Sequence, residues 1–224
     1  MNELNHIAFI MDGNGRWGLK KKNNRNYGHL AGIKTVQKIV EASIFFKIPI
    51  ISFYVFSKEN WKRPKSEVNY LFNLINIYFE NEINNIIKNK IKIIITGKTQ
   101  NLPSKIIKTL KTVTRKTSDN KRLVVNLAIN YGSKNEIIDA VKKINYNNQK
   151  ITEEKITKNL YSNLVFPDIL IRTGGQKRLS NFMLWQIAYT EIFFLDKMWP
   201  DFLKSDLKKI INKYYKIKRN FGGI

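Results

Sequence analysis

The sequence predicts an α/β fold, a mostly parallel six-stranded sheet surrounded by helices, and three observations carry that prediction. Apolar runs rich in β-branched and aromatic residues alternate with segments of helical period, as in strands joined by crossover helices. One run, at 50–56 (IISFYVF), is apolar without a break, as a strand buried on both faces requires. Three polar segments follow strands directly, which gathers them at the carboxyl edge of a parallel sheet, where such folds bind ligands. A chain of 224 residues with 43% hydrophobic content can bury a full core, so a single domain over 1–224 is expected.

The first strand, at 6–10, runs straight into DGNGRW at 12–17. Residues 13–18 match the G-x-G-x-x-G outline of a dinucleotide fingerprint. That fingerprint needs a helix starting inside the glycines and packing tightly on the sheet. Arg16 and Trp17 are bulky there and the polar run 20–26 follows, so a loop is expected, with no helix until after His29.

The first helix is expected over 30–46, on the spacing of Ile33, Val36, Ile39 and Ile44, and it ends before Pro49. The strand at 50–56 then delivers SKENWKR at 57–63. Ser66 as N-cap and Glu67 in the first turn open a long helix with Val68, Leu71, Phe72, Ile75, Phe79, Ile83 and Ile86 on one side.

A third strand at 91–96, a helix at 103–113 and a fourth strand at 123–130 come next. Ser133 and Glu136 stand at capping-box spacing before a helix carrying Ile137, Val141 and Ile144. A short helix at 152–160, strands at 168–171 and 191–194, and a basic helix from 205 to about 219 complete the chain before the tail 220–224.

The formal net charge is 40 − 17 = +23. The lysines are spread over every expected helix, so composition explains many of them and nucleic-acid binding is not expected. Arginine is scarcer and recurs beside the glycine and aromatic signals, at Arg16, Arg25, Arg63, Arg172 and Arg178. With no cysteine and only two histidines, thiolate chemistry and a structural zinc site are excluded, and a bound metal would be held by oxygen. No segment has the length of a membrane span and the amino terminus has no signal-peptide pattern, so a cytoplasmic protein is expected.

The first polar segment has what a magnesium diphosphate requires. Asp12 can meet the metal, Gly13 and Gly15 let backbone N–H groups approach oxygen, and Arg16 balances charge. The chain therefore reads as an enzyme acting on a phosphorylated substrate.

With DGNGRW, SKENWKRP and RTGGQKRLSN in order, and YGHLAG at 27–32, NYGSK at 130–134 and LWQIAYTEIFF at 184–194 between and after them, the chain resembles the cis-prenyltransferases, the family of the bacterial undecaprenyl diphosphate synthases. The resemblance covers nearly the whole chain. It implies a homodimer that condenses isopentenyl diphosphate onto an allylic diphosphate with cis geometry, with Mg2+ as cofactor. Asp12 would position the metal and the allylic diphosphate, and Glu191 would be the second carboxylate near the metal. Gly13, Asn14, Gly15, Arg16, Arg25 and His29 would cradle that diphosphate, with Trp17 on the adjacent wall. Arg172, Arg178 and Ser180, with Leu179 between them, would take isopentenyl diphosphate. Asn60 and Ser57 belong near the carbon that loses a proton, and Lys58, Glu59, Trp61 and Arg63 complete that wall.

The resemblance further implies farnesyl diphosphate as the starter, a product near undecaprenyl diphosphate and, beyond a cytoplasmic location, peripheral contact with the inner face of a membrane for product release. Alternatives are a shorter product or a non-catalytic prenyltransferase-like subunit; retention of Asp12, Asn60 and the five arginines argues against the latter. Gln176 stands where the family usually has an acidic residue, Lys177 is also atypical, and Tyr27 replaces a more common phenylalanine. Each residue also has a plainer reading: His29 as a helix cap, Glu191 as a surface carboxylate, Trp185 as a core aromatic, and the apolar side of 68–86 as ordinary core.

Overall fold

The computed structural model describes residues 2–219; the tail at 220–224 lies outside the described residues. Six strands form one sheet: β1 (His6–Ile10), β2 (Ile50–Ser57), β3 (Ile91–Thr96), β4 (Leu123–Tyr131), β5 (Ile169–Arg172) and β6 (Glu191–Phe194). Their order is β3-β4-β2-β1-β5-β6 and each neighbouring pair is parallel. The helices are α1 (Asn14–Lys22), α2 (Arg25–Phe45), α3 (Lys65–Lys88), α4 (Ser104–Lys116), α5 (Ser133–Tyr146), α6 (Glu153–Lys158) and α7 (Lys204–Tyr214), with short 3₁₀ turns at Lys58–Lys62 and Trp199–Asp201.

The alternation of the strands divides the core. Ile7, Phe9, Ile51, Phe53, Val125 and Ile93 face the side covered by α2, α3, α4 and α7, where Phe9, Phe53, Trp199 and Phe202 pack ring against ring. Ala8, Ile10, Ala128 and Leu170 face a smaller apolar cluster with Phe182, Met183 and Ile187. A buried polar chain also crosses this second face: His6 Nε2 meets Ser52 Oγ at 2.7 Å, Asn126 donates to Ser52 at 2.9 Å, and Thr96 donates to Asn126 at 2.7 Å.

The structure corrects several sequence expectations. A helix does begin inside the glycines: Gly13 takes the left-handed conformation (φ 106) and α1 starts at Asn14. Its packing uses glycine rather than an apolar stripe. A Cβ on Gly28 of α2 would lie 1.9 Å from the Asn14 carbonyl oxygen, so only glycine lets the two helices cross there. The next helix accordingly starts at Arg25, not 30, capped by Asn24, whose side chain accepts the Asn26 N–H at 2.8 Å. Ser66 lies within α3, whose N-cap position is Pro64. The Ser133/Glu136 pair makes no capping box: Ser133 Oγ accepts from Leu184 N–H, and the fully buried Glu136 accepts from the Tyr131 hydroxyl, Tyr161 N–H and Gln186.

Register breaks at the end of β2 redirect the chain as it leaves the sheet. Tyr54 pairs with Ala128 but Phe56 with Ile129, so Val55 is an extra residue, and Ser57 pairs with Tyr131, leaving Asn130 (φ 50) extra on β4. Bulges of this kind turn side chains out of the strict alternation. The side chain of Asn130 then bonds Trp61 Nε1 at 2.8 Å and the carbonyls of Lys98 and Gln100, tying three loops together.

Candidate active site

A cavity of about 750 Å³ opens at the carboxyl edge of the sheet. Its mouth is polar, lined by Asp12, Arg16, Arg25, His29, Arg63, Arg172 and Arg178, and its depth is apolar, lined by Ile33, Val36, Val55, Leu71, Ile75, Phe79 and Ile129 from α2, α3 and the central strands. Asp12, Ser57 and Arg172 stand at or just past the ends of β1, β2 and β5, which brings the three polar segments together as the sequence predicted.

The amino end of α1 is part of the mouth. No side chain caps it and no acidic residue occupies its first turn, so its unpaired N–H groups meet the cavity with a partial positive charge, a ready anion seat. Beside it Asp12 is held from two sides: Arg172 Nη2 donates to Oδ2 at 2.8 Å and Arg16 Nη2 to Oδ1 at 3.1 Å. Arg172 is 97% removed from solvent, with Nη1 bonded to Ser180 Oγ at 2.7 Å and to the Arg178 carbonyl, while its buried Nε has no partner.

A second carboxylate, absent from the sequence-derived set, organises the other wall. Glu67, on the first turns of α3, accepts from Arg25 Nε at 3.0 Å, His29 Nε2 at 3.1 Å and Arg63 Nη1 at 3.2 Å. Burial opposes ionisation of Glu67, but the hydrogen bonds from Arg25 and His29 and the charges of Arg25 and Arg63 outweigh it and hold its carboxyl below the ordinary value. Burial lowers the His29 imidazole more than Glu67 raises it, which keeps the ring neutral near pH 7. Facing a carboxylate, a neutral ring carries its proton on Nε2 and leaves Nδ1 as an acceptor. His29 is thus no helix cap. The only sequence signal for Glu67 was its place in the first turn of a helix.

In the turn after β2, Asn60 Oδ1 accepts the Ser57 N–H at 3.1 Å, so what Asn60 has left to offer the cavity is its Nδ2 donor pair. Gln176 Oε1 accepts from Arg178 Nη1 at 2.7 Å, so this arginine is held by a neutral amide.

Of the expected site residues, Gly13, Asn14, Gly15, Arg16, Arg25, His29, Ser57, Glu59, Asn60, Arg63, Arg172, Arg178 and Ser180 line the cavity with Asp12. Five others do not. Trp17 points away, stacked on Tyr27 at 5.7 Å and donating to Asp201 at 2.8 Å, because it sits on the outer side of a helix rather than in a loop. Trp61 packs edge-on against Phe56 beneath the wall, Lys58 is exposed, and Leu179 packs on the second apolar cluster. Glu191 begins β6, level with Ile169 and hence with Ile7, on the order of 15 Å down the sheet from Asp12 at strand rise. It lies 3.7 Å from Arg219, so within one chain it shares no ion with Asp12. Trp185 is half-buried and bonded to Thr157 rather than enclosed in the core.

Known proteins resemble the chain along nearly its whole length. Residues 10–222 match the family model described as "Putative undecaprenyl diphosphate synthase". An isoprenyl transferase of Fusobacterium nucleatum is 43% identical over 220 residues, covering 98% of this chain and 96% of that protein. One from Rickettsia typhi is 41% identical and covers 99% of each. Among solved structures, a "probable undecaprenyl diphosphate synthase" from Campylobacter jejuni superposes with a TM-score of 0.86 at 36% identity over 100% of both chains. Lavandulyl diphosphate synthase from Lavandula x intermedia, in complex with dimethylallyl diphosphate, does so with a TM-score of 0.93 at 27% identity over 98% of each.

Proposed function

The chain belongs to the undecaprenyl diphosphate synthase family of prenyltransferases, and on that premise we propose that it is a magnesium-dependent enzyme that condenses isopentenyl diphosphate onto farnesyl diphosphate with cis geometry. The observation that carries this reading is a single cavity whose mouth is cationic and whose depth is apolar, the shape and chemistry of a prenyl diphosphate. The dimethylallyl diphosphate held by the lavandulyl synthase supports an allylic starter.

In this reading the allylic diphosphate sits on the amino end of α1 with Arg16 and the Glu67-oriented Arg25, His29 and Arg63 around it. Isopentenyl diphosphate sits against Arg172, Arg178 and Ser180. Asp12 lies between the two seats and fits magnesium as its single protein carboxylate, since that ion is commonly held by one or two carboxylates plus substrate phosphate oxygens. Bound magnesium would neutralise charge on the diphosphate that departs.

Arginine and backbone donors fixed around the leaving group stabilise charge as the allylic C–O bond breaks. The isopentenyl double bond attacks the resulting carbon, and the new cation loses a proton to a diphosphate oxygen. Asn60, an amide without basicity, orients that exchange. The tail advances into the space lined by Val55, Leu71 and Phe79.

The enzyme works as a homodimer on this reading, which the exposed Ile192 and Phe194 on the edge strand β6, with the exposed Tyr189 just before it, support. No helix among the described residues is long and apolar enough to cross a membrane. Incubation with magnesium, farnesyl diphosphate and labelled isopentenyl diphosphate, followed by chromatography, tests the proposal: a ladder of longer prenyl diphosphates is expected, and unconverted label overturns it.

A further inference from the structure

Asn181 lines the cavity between residues that bear charge, yet nothing in the reaction requires its amide. Its backbone is left-handed at φ 63, directly after Ser180 at φ 50 and shortly before Met183 at φ 47. Such residues cost stability unless their surroundings fix them, and asparagine is among the side chains that tolerate the conformation best.

The fixing contacts run to two other loops. Asn181 Nδ2 donates to Glu59 Oε1 at 2.9 Å, its Oδ1 accepts the Lys134 N–H at 2.9 Å, and its carbonyl accepts the Ser133 N–H at 2.8 Å. The approach is close enough to exclude a side chain opposite: a Cβ on Gly132 would lie 2.8 Å from Asn181 Nδ2. One amide therefore joins the turn that holds Asn60, the start of α5 and the loop that holds Arg178 and Ser180.

Glu59 makes sense in this arrangement. A carboxylate at the mouth repels diphosphate, so attraction of substrate is not its use. Burial would raise its pKa, but the amide of Asn181, with the Glu59 backbone, Ser57 and Lys58, outweighs that and keeps it ionised, a strong acceptor for a neutral donor.

We propose that Asn181 is a positioning residue that bridges the Ser57–Asn60 turn to the Arg178–Ser180 loop and thereby fixes where the second diphosphate sits relative to the reacting carbons. The inference rests on the elongation reading above.

A swap of donor and acceptor tests it. Asn181→Asp keeps the left-handed backbone tolerable and the bond from Lys134 N–H, but sets a second carboxylate against Glu59. Adding Glu59→Gln restores a donor facing an acceptor with the polarity reversed. Asn181→Asp should raise the KM for isopentenyl diphosphate roughly tenfold, as for one charge-assisted hydrogen bond lost, and that for farnesyl diphosphate by less than about twofold. The double variant should return to within about threefold of wild type, since partners in contact couple. Binding of inorganic diphosphate, measured by calorimetry, should follow the same order without any turnover. A wild-type enzyme that elongates nothing strikes the elongation reading, while the calorimetric order still decides the role of Asn181. An unchanged single variant, an equal rise in both KM values, or a double variant no better than the single overturns the bridge.

Discussion

Asp12 and Glu67 each gather cations at the mouth of one cavity, yet Asp12 keeps 29% of its side chain exposed and Glu67 only 9%. Asp12 stands past the end of a strand, and its partners come from the first turn of α1 and the end of β5. Glu67 lies on α3, and its three partners come from α2 and the turn just before. The first arrangement can be taken apart by an arriving charge: a phosphate can claim Arg172 and Arg16 and free a carboxylate oxygen for a cation. The second cannot, because withdrawing Glu67 leaves two guanidinium groups and an imidazole crowded without a counter-charge. One carboxylate is arranged for exchange and the other for fixing donors in place.

Removing the exchangeable carboxylate tests that contrast hardest. Asp12→Ala should lower turnover on the order of a hundredfold or more, as for one transition-state donor or metal ligand lost, while the chain still folds with a lowered melting temperature, because the buried Arg172 loses its carboxylate partner. Elongation at the wild-type rate would end the distinction.

The sequence made Asp12 visible and Glu67 invisible for a physical reason. Asp12 is a lone carboxylate among glycines directly after an apolar strand, a place where packing has no use for it. Glu67 looks like any acidic residue in a first helical turn; only the convergence of α2 on α3 brings Arg25 and His29 to it. The strands were legible for a similar reason, since buried parallel strands announce themselves as apolar runs, and 91–96 and 191–194 coincide with β3 and β6. Helix α1 was not, because its contact with α2 runs through glycines and leaves no apolar period. Glu191 shows another limit: the reading placed its strand at 191–194, so that the residue begins it, yet the resemblance set it beside Asp12, although the start of a parallel strand lies at the opposite edge of the sheet from Asp12.

Acid separates the regions by pH window. At the amino edge of the sheet, burial lowers the pKa of His6 to about 4 from 6.5, more than the Val165 carbonyl and Asp168 raise it. The unfolded chain then binds the extra proton, so stability is present above pH 6.5 and is lost as pH falls towards 4, by about 3 kcal/mol for a shift of this size. His29, lowered by burial in the same direction, adds to the same window. Glu67, held below the ordinary carboxylate value of 4.5, yields its contribution only under that pH. Melting temperature should therefore decline between pH 6.5 and 4 before Glu67 is titrated. A flat profile over that range, or a His6 ring titration by NMR centred near 6.5, breaks the assignment.

Glu67→Gln should destabilise the fold by about 2 kcal/mol, less than a fully buried pair because Arg25 and Arg63 are partly exposed. It should also raise the KM for farnesyl diphosphate more than that for isopentenyl diphosphate, since in the proposed reading the donors it frees surround the allylic diphosphate. Calorimetric melting and two-substrate kinetics report both effects. An unaltered melting temperature with both KM values raised equally would make Glu67 a second exchangeable carboxylate, and the contrast with Asp12 would disappear.

The smallest effect is expected away from both carboxylates, in the apolar depth. Val55 is the extra residue of the bulge in β2, and its side chain reaches the cavity where a growing tail would begin its path. Each isoprene added buries more apolar carbon at roughly 0.8 kcal/mol per CH₂, so binding grows more favourable with length and cannot by itself end the reaction. Space must. Val55→Ala adds room near the start of the path and takes nothing from either diphosphate seat, so the product distribution, read by chromatography, should stay as it is or lengthen, with turnover close to wild type. A clear shift to shorter products would place the tail along another wall of the cavity, and the division between a polar mouth that binds and an apolar depth that measures length would have to be redrawn.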